Sequence, residues 1–189
     1  MISLRRPTLA RAEAYRSEHS PLAPTTPPAA DPPAGYRRDQ FRRVVGSGAD
    51  DFAAACEGLR RWAAHGRAAV TVVPADAPLL EGATVGLVMR QPGLWVLASC
   101  RITEVIDEPG RFGFVYATLP GHLVDGYESF IVTMAGDEVV FDVEMVARPA
   151  ALLTRCAGPI GRLLQRRAVD GYRNGIESWV ARSDRDPAA

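Results

Sequence analysis

The chain contains no lysine, so every one of its 22 basic residues is an arginine. A chain without lysine cannot form the Schiff bases of pyridoxal phosphate enzymes, and it cannot build the lysine-containing phosphate loop of nucleotide hydrolases. The 22 acidic residues balance the arginines to a net charge of zero, which argues against nucleic acid as a partner. What is present is 47% hydrophobic residues, enough for an ordinary core.

Cysteine and histidine are also scarce, with three residues of each type. Cys56, Cys100 and Cys156 are far apart and form no CxxC pair, which is typical of reduced core residues in a cytoplasmic protein. The histidines lack zinc-ligand spacing and no GxSxG motif occurs, so we expect no metal, no cofactor and no serine hydrolase. The N-terminus lacks a signal-peptide core, and no apolar run approaches the ~18 residues of a membrane span.

Proline is concentrated between Ser20 and Gly35, where it blocks both helices and strand pairing. We therefore expect residues 1–35 to be a disordered lead or an extended strap on the domain, with a short helix within residues 8–16. Residues 36–184 are expected to form one domain, followed by a tail at 185–189.

The middle of the chain predicts one strand, one helix and six further strands. The first strand covers 36–45, and the helix begins near Ser47, carries a buried stripe that ends at Trp62, and stops at Gly66. Short turns rich in glycine and proline separate the later strands, as in an antiparallel meander. The six strands are predicted at 68–73, 84–90, 94–107, 111–119, 127–135 and 138–147.

The last long segment, Arg148 to Ser183, has apolar residues at helical spacing with arginines on the other side. A helix of ~30 residues would be ~45 Å long, more than a small domain needs unless a sheet wraps it. Gly158-Pro159 predicts a boundary, with a core helix at 159–182 and a shorter one at 149–157. The fold expected is α+β, a curved antiparallel sheet of about seven strands around this helix.

Strand alternation assigns polar side chains to the inner face of that sheet. Glu128 shares a face with Phe130, and Tyr116 and Thr118 share one with Phe114. A carboxylate on an apolar face is paired, protonated or at the rim of a cavity. Arg101 shares a face with Trp95, Leu97 and Val105, and it either faces the cavity or reaches out of it. His122, in the longest loop of the meander, is either a proton carrier or an exposed side chain without a role.

Several motifs in order resemble the DUF1990 (UPF0548) family: FGFVYATLPGH, GYESF, VARPA and AGPIGRLLQRRAVDGY, within a match from Gly35 to the end. That family is similar to helix-grip proteins of the START, Bet v 1 and polyketide-cyclase type, which implies a helix-grip fold. Such proteins usually have two short helices after the first strand, whereas the sequence pattern predicts one. The resemblance places the family's TLPGH motif on residues 118–122 and its second glutamate on Glu128.

The chain departs from the family pattern around this loop, at Ala117, Leu123, Val124 and Tyr127. Two acidic residues and a proline are replaced by apolar or aromatic residues. We interpret these departures as a cavity mouth altered for a different or more hydrophobic ligand.

Three hypotheses of function follow. The preferred one is a protein that binds a hydrophobic small molecule between sheet and long helix, through Arg101, Thr118, Trp95, Phe114 and Phe130. The second hypothesis, made by analogy with helix-grip cyclases, is a cofactor-free cyclase, dehydratase or isomerase. Such an enzyme would act on a polyketide-like or terpenoid-like compound. Its catalytic residues would be His122, Glu128 and Tyr116. The third is an interaction module whose arginine face meets an acidic partner (Arg155, Arg162, Arg166, Arg167, Arg173). Both a monomer and a homodimer remain open.

Overall fold

The computed structural model describes residues 1–26, 28, 31–150 and 158–183, and in the last range the side chains from 167 onward. The strands in these ranges are β1 (Ile2–Ser3), β2 (Arg37–Ser47), β3 (Val70–Val73), β4 (Thr84–Gln91), β5 (Leu94–Glu108), β6 (Arg111–Thr118), β7 (Val124–Ala135) and β8 (Glu138–Pro149). The helices are α1 (Leu9–His19), α2 (Gly48–Arg60), α3 (Ala63–Arg67) and α4 (Gly158–Ser183).

The strands form one antiparallel sheet in the order β2-β8-β7-β6-β5-β4-β3, and β1 pairs with the beginning of β5. Strands β3 to β8 follow one another as the predicted meander, with tight turns after β4, β5 and β7 and a longer connection at 74–83 between β3 and β4. β2 joins the far side of β8, so β2 and β3 are the two edges. The predicted antiparallel sheet with a C-terminal helix is confirmed, although β7 begins at Val124 and not at Tyr127, which shortens the loop that contains His122.

The inner face of the sheet carries the main hydrophobic core and is covered by α2, α3 and α4. Alternate residues of β6, β7 and β8 supply its largest rings, among them Phe114, Phe130 and Phe141, which are fully buried. Helix α2 contributes Leu59, and α4 contributes Tyr172, Ile176 and Val180. Trp62 joins them from the turn between α2 and α3. The core thus lies between the sheet and the second half of α4.

The prediction of one helix ending at Gly66 is wrong, because the chain forms two helices that meet at Trp62. Trp62 adopts a left-handed conformation with φ of +57°, which ends α2 and turns the chain into α3. Its indole N–H donates to the carbonyl of Ala77 at 2.8 Å, and its ring is buried. A buried, hydrogen-bonded ring can hold a backbone geometry that the residue itself disfavours. The two helices match the usual helix-grip arrangement.

The helix α4 begins at Gly158, where the glycine–proline pair predicts a boundary. Most of the shorter helix predicted at 149–157 lies outside the described residues, and Pro149 itself ends β8. None of the helices within the described ranges is long and apolar enough to cross a membrane. Of the predicted arginine face, side chains are described for Arg167 and Arg173, and Arg173 pairs with Asp170 at 3.5 Å.

The N-terminal segment packs against the outer face of the sheet. Ala12 of α1 is fully buried in a second cluster with Val73, Val88 and Leu97. Further along, Thr25 donates its backbone N–H to the carbonyl of Thr118 at 2.8 Å, at the end of β6. The described part of residues 1–35 therefore contains a helix and contacts the sheet in the manner of a strap. The tail predicted at 185–189 lies outside the described residues.

Candidate functional site

A carboxylate and a phenol face each other on the inner side of the sheet. Glu128 of β7 and Tyr116 of β6 are direct cross-strand partners, so their side chains leave the sheet side by side. The Tyr116 hydroxyl donates to Oε2 of Glu128 at 2.6 Å. Tyr116 is 2% exposed, whereas Glu128 keeps partial exposure. The pair therefore joins a fully buried phenol to a residue that keeps some contact with solvent.

His65 extends this pair into a line of three polar groups. It comes from α3, is 1% exposed, and places Nε2 3.2 Å from the Tyr116 hydroxyl. Because the single hydroxyl hydrogen of Tyr116 goes to Glu128, its oxygen accepts from His65, and Nε2 is then the protonated ring nitrogen. The line runs from His65 through Tyr116 to Glu128.

Aromatic rings surround the line. The His65 ring centroid lies 4.9 Å from that of Trp62, 4.9 Å from that of Phe130 and 5.2 Å from that of Tyr172. Phe114 stacks on Phe130 at 5.2 Å. Polar groups enclosed by rings interact more strongly than in water, because the surroundings screen charge poorly.

Burial shifts the protonation equilibria of all three groups. It lowers the pKa of His65 to about 3, which keeps the imidazole neutral at ordinary pH. It raises the pKa of Glu128, an effect that the hydrogen bond from Tyr116 partly offsets. Burial and the nearby Glu128 charge raise the pKa of Tyr116 well above its ordinary value, so the phenol stays a hydrogen-bond donor. The arrangement holds a carboxyl group suited to taking up and releasing a proton beside a neutral donor.

The sequence-based site prediction is partly reflected in this geometry. Four of its residues lie on the inner face at or beside the line: Phe114, Tyr116, Glu128 and Phe130. Arg101 and Trp95, which we expected in the ligand site, lie on the outer face. Arg101 donates to the backbone carbonyl of Ser20 and to the Thr84 hydroxyl (3.3 Å), and Trp95 packs against the cluster beneath α1.

A β-bulge explains this correction. The pairing of β5 with β6 shifts between Ile102 and Glu104, so one extra residue enters β5 there. An extra residue reverses the alternation of faces beyond it. Val105 consequently packs against the inner core, while Leu97 belongs to the outer cluster, although strict alternation puts both on one face.

Thr118 and His122 lie at the end of the sheet and use their polar atoms there. Thr118 accepts the backbone N–H of Gly126 at 3.0 Å, and its hydroxyl lies 2.6 Å from that of Thr25. Nδ1 of His122 accepts the N–H of Val124 at 3.2 Å, and burial lowers the His122 pKa to about 4. Within the described ranges, no hydrogen bond or ion pair joins either side chain to Glu128.

The interpretation of the departures from the family pattern is wrong for Ala117 and Tyr127. These two residues are cross-strand partners on the outer face. They are buried in a small cluster with Val115 and Val146, against which Tyr36 packs. In this cluster Ala117 and Tyr127 contribute to the contact with the residues before β2, and they do not shape the inner face.

Sequence reasoning missed His65. Its signal was weak, since the only hint is its position three residues after Trp62, at the end of the apolar stripe of the preceding helix. Nothing local connects it to Tyr116, which lies 51 residues further along the chain.

As for metal ions, no three His, Cys, Asp or Glu side chains gather at one point in the described ranges.

Comparison with known proteins agrees with this architecture. The family described as "Domain of unknown function (DUF1990)" matches residues 21–174. A UPF0548 protein of Deinococcus radiodurans is 41% identical over an alignment of 108 residues, and this alignment covers 52% of this chain and 54% of that protein. The matched segment thus spans about half the length of this relative.

Solved structures with little sequence identity share the fold. The aromatase/cyclase ZhuI from Streptomyces sp. R1128 is 14% identical and superposes with a TM-score of 0.54, covering 82% of this chain and 99% of ZhuI. Ara h 8.0201 is 13% identical with a TM-score of 0.51, covering 78% of this chain and 99% of that protein. These likenesses show a Bet v 1-like helix-grip fold, and the family match shows that the chain belongs to the DUF1990 (UPF0548) family.

Proposed function

We propose that the protein binds a hydrophobic small molecule between the inner face of the sheet and α4, with one polar group of that molecule at Glu128. The observation that carries the proposal is the carboxylate of Glu128, which belongs to a partly exposed residue and is fixed by Tyr116 on a face otherwise built of aromatic and aliphatic side chains. Ligand sites in proteins generally hold small molecules by apolar contact and orient them by a few polar groups. The fold supports the proposal, because it is shared with Ara h 8.0201 and ZhuI.

The geometry also restricts which polar group of the ligand can bind at Glu128. Oε2 of Glu128 is occupied by the Tyr116 hydroxyl, so the ligand meets the other carboxyl oxygen. Because burial raises the Glu128 pKa, the group accepts from a hydroxyl when ionised and donates to a carbonyl when protonated. We therefore expect an apolar molecule with a hydroxyl or carbonyl group.

Native mass spectrometry of the gently purified chain tests this proposal. We expect one small adduct per chain, released by denaturing extraction. Glu128→Gln keeps the size of the side chain but weakens its hydrogen bonding, and we expect about a tenfold loss of affinity for the extracted compound. Glu144→Gln is the matched control, since Glu144 lies on the other face of β8 near Arg38, 3.8 Å away. An adduct that binds both variants equally would contradict a site at Glu128.

A second candidate is a cofactor-free cyclase, dehydratase or isomerase acting on a polyketide-like or terpenoid-like compound. The observation that favours it is the raised pKa of Glu128 beside a neutral phenol donor. Glu128 would carry the proton and Tyr116 would stabilise a developing oxyanion. His65 would act through Tyr116 as a positioning residue. His122, which bonds to the backbone of Val124, has no part in this arrangement.

Conversion of the extracted compound distinguishes the two functions. If the protein is an enzyme, Tyr116→Phe is expected to lower the turnover rate by about 100-fold or more, as removal of one oxyanion donor does elsewhere. Glu128→Gln is expected to lower it at least as far. Full turnover in both variants would remove the catalytic assignment, and an unchanged compound after incubation with wild-type protein would leave binding as the function.

A further inference from the structure

An open groove of about 380 Å³ runs along the β3 edge of the sheet, away from the line of His65, Tyr116 and Glu128. It is lined from both faces of the sheet. Val70, Val72 and Trp62 approach it from the inner side, and Trp95 and Thr71 approach it from the outer side. A groove that is lined from both faces follows the backbone edge of the strand itself.

The backbone of β3 presents free hydrogen-bonding groups to this groove. The N–H of Arg90 donates to the carbonyl of Ala69 at 3.1 Å, which makes these two residues a hydrogen-bonded pair. Bonded and non-bonded pairs alternate in an antiparallel ladder, so Val70 and Val72 point their N–H and C=O groups away from β4. In the described part of the chain no strand pairs with this side of β3. An unpaired edge of this kind is a template for one more strand.

The groove is positively charged. Three of its lining residues are arginines, Arg6, Arg61 and Arg90, and none is acidic. Arg61 is paired with Glu57 at 2.7 Å. The Arg6 guanidinium lies 5.5 Å above the centre of the Trp95 ring, and Arg90 forms no ion pair within the described ranges. Arg6 and Arg90 are therefore two exposed cations on the outer side of the edge.

The walls of the groove are built on an unusual backbone. Trp62 and Ala69, which both line it, have φ of +57° although neither is glycine. Such conformations are disfavoured and concentrate where a surface is shaped for binding. They flank α3 on either side.

From the free edge, the two cations and the apolar inner wall, we infer that β3 accepts an extended acidic peptide as an additional strand. Backbone groups of the peptide bond to Val70 and Val72, and its alternate side chains point to opposite faces of the sheet. Acidic side chains on the outer side meet Arg6 and Arg90, and apolar side chains on the inner side meet Trp62. The partner is thus a segment that alternates acidic and apolar residues, independent of any ligand at Glu128.

Titration of the 15N-labelled chain with a hexapeptide tests this inference. The probe is acetylated and amidated Glu-Val-Glu-Val-Glu-Val, added at low salt. We expect the backbone amide signals of Val70 and Val72 to shift during the titration. The double variant Arg6→Gln with Arg90→Gln is expected to bind about fivefold to tenfold more weakly. Arg42→Gln, an exposed residue on the opposite edge strand β2, is the matched control and is expected to bind as wild type does.

Two further probes separate strand addition from simple attraction of an anion. The same peptide with lysine in place of glutamate is expected not to bind, and a glutamate peptide with N-methylated valines, which loses backbone donors, is expected to bind at least tenfold more weakly. Free glutarate is the small-anion probe. The inference is overturned if Val70 and Val72 do not respond to the glutamate peptide. It is equally overturned if the lysine or N-methylated peptide binds as well, or if glutarate causes the same shifts.

Discussion

Lowering the pH from 8 to 5 is expected to reduce the free energy of unfolding by about 2 kcal/mol through His65 alone. Burial holds the His65 pKa at about 3 in the folded chain, against an ordinary value of 6.5. Below pH 6.5 the unfolded chain therefore binds a proton that the folded chain does not. The stabilising contribution is complete above about pH 6.5 and is lost progressively as the pH falls towards 3, at about 1.4 kcal/mol per pH unit.

The variant His65→Phe isolates this effect. It keeps a ring in the aromatic cluster but removes both the titrating group and the hydrogen bond to Tyr116. At pH 8, where His65 is neutral in both states, we expect the variant to be less stable than wild type by about 1 kcal/mol. At pH 5 the difference is expected to vanish or reverse, since the wild-type chain alone carries the His65 penalty.

Urea unfolding at pH 8 and pH 5 measures both expectations. The part of the decrease in unfolding free energy that persists in His65→Phe comes from other groups. His122 is one of them, because burial also lowers its pKa. If the unfolding free energy of the variant decreased between pH 8 and pH 5 as much as that of the wild type, His65 would not be buried in its neutral form.

Replacing Gly175 by alanine is expected to destabilise the protein by about 2 to 3 kcal/mol. Helices α3 and α4 touch at this point, and a Cβ on Gly175 would lie 2.4 Å from the carbonyl oxygen of Ala63 and 2.8 Å from the Cα of Ala64. Backbone atoms cannot yield as a flexible side chain does, so one helix has to move. Because His65 belongs to α3, the movement would also stretch its hydrogen bond to Tyr116.

Gly66→Ala is the matched control for this prediction. Gly66 lies in α3, and a Cβ placed there would have no neighbour within 4 Å. Alanine favours the helix over glycine, so Gly66→Ala is expected to leave stability unchanged or to raise it by up to about 1 kcal/mol. Urea unfolding of the two variants under one set of conditions provides the comparison. Equal stability of Gly175→Ala and wild type would contradict the close approach of α3 and α4.

The sequence was most informative where the pattern is local. Alternation within single strands identified the faces of residues 111–118 and 127–135, and it correctly placed Glu128, Phe130 and Tyr116 on the inner face. The glycine–proline pair marked the beginning of α4 in the same way. These predictions hold because side-chain direction in a regular element depends only on the residues next to it.

Prediction from sequence failed where one residue breaks the regular pattern. The bulge in β5 reversed the faces of the strand, which moved Arg101 and Trp95 to the outer side. The left-handed Trp62 divided the expected helix in two. Both irregularities depend on what packs against the chain, since a bulge needs its partner strand and the Trp62 conformation is held by the buried ring and its bond to Ala77.

By itself the sequence determined the order of the long strands and of the C-terminal helix, and it placed the carboxylate of Glu128 on an apolar inner face. Only the tertiary structure decided which groups meet. His65 reaches Tyr116 across 51 residues because α3 packs over the sheet, and Tyr127 is buried in a cluster against which the distant Tyr36 packs. The free edge of β3 exists because no described strand follows it in the sheet. Local patterns fix the direction of side chains, whereas contacts between distant residues depend on how whole elements pack.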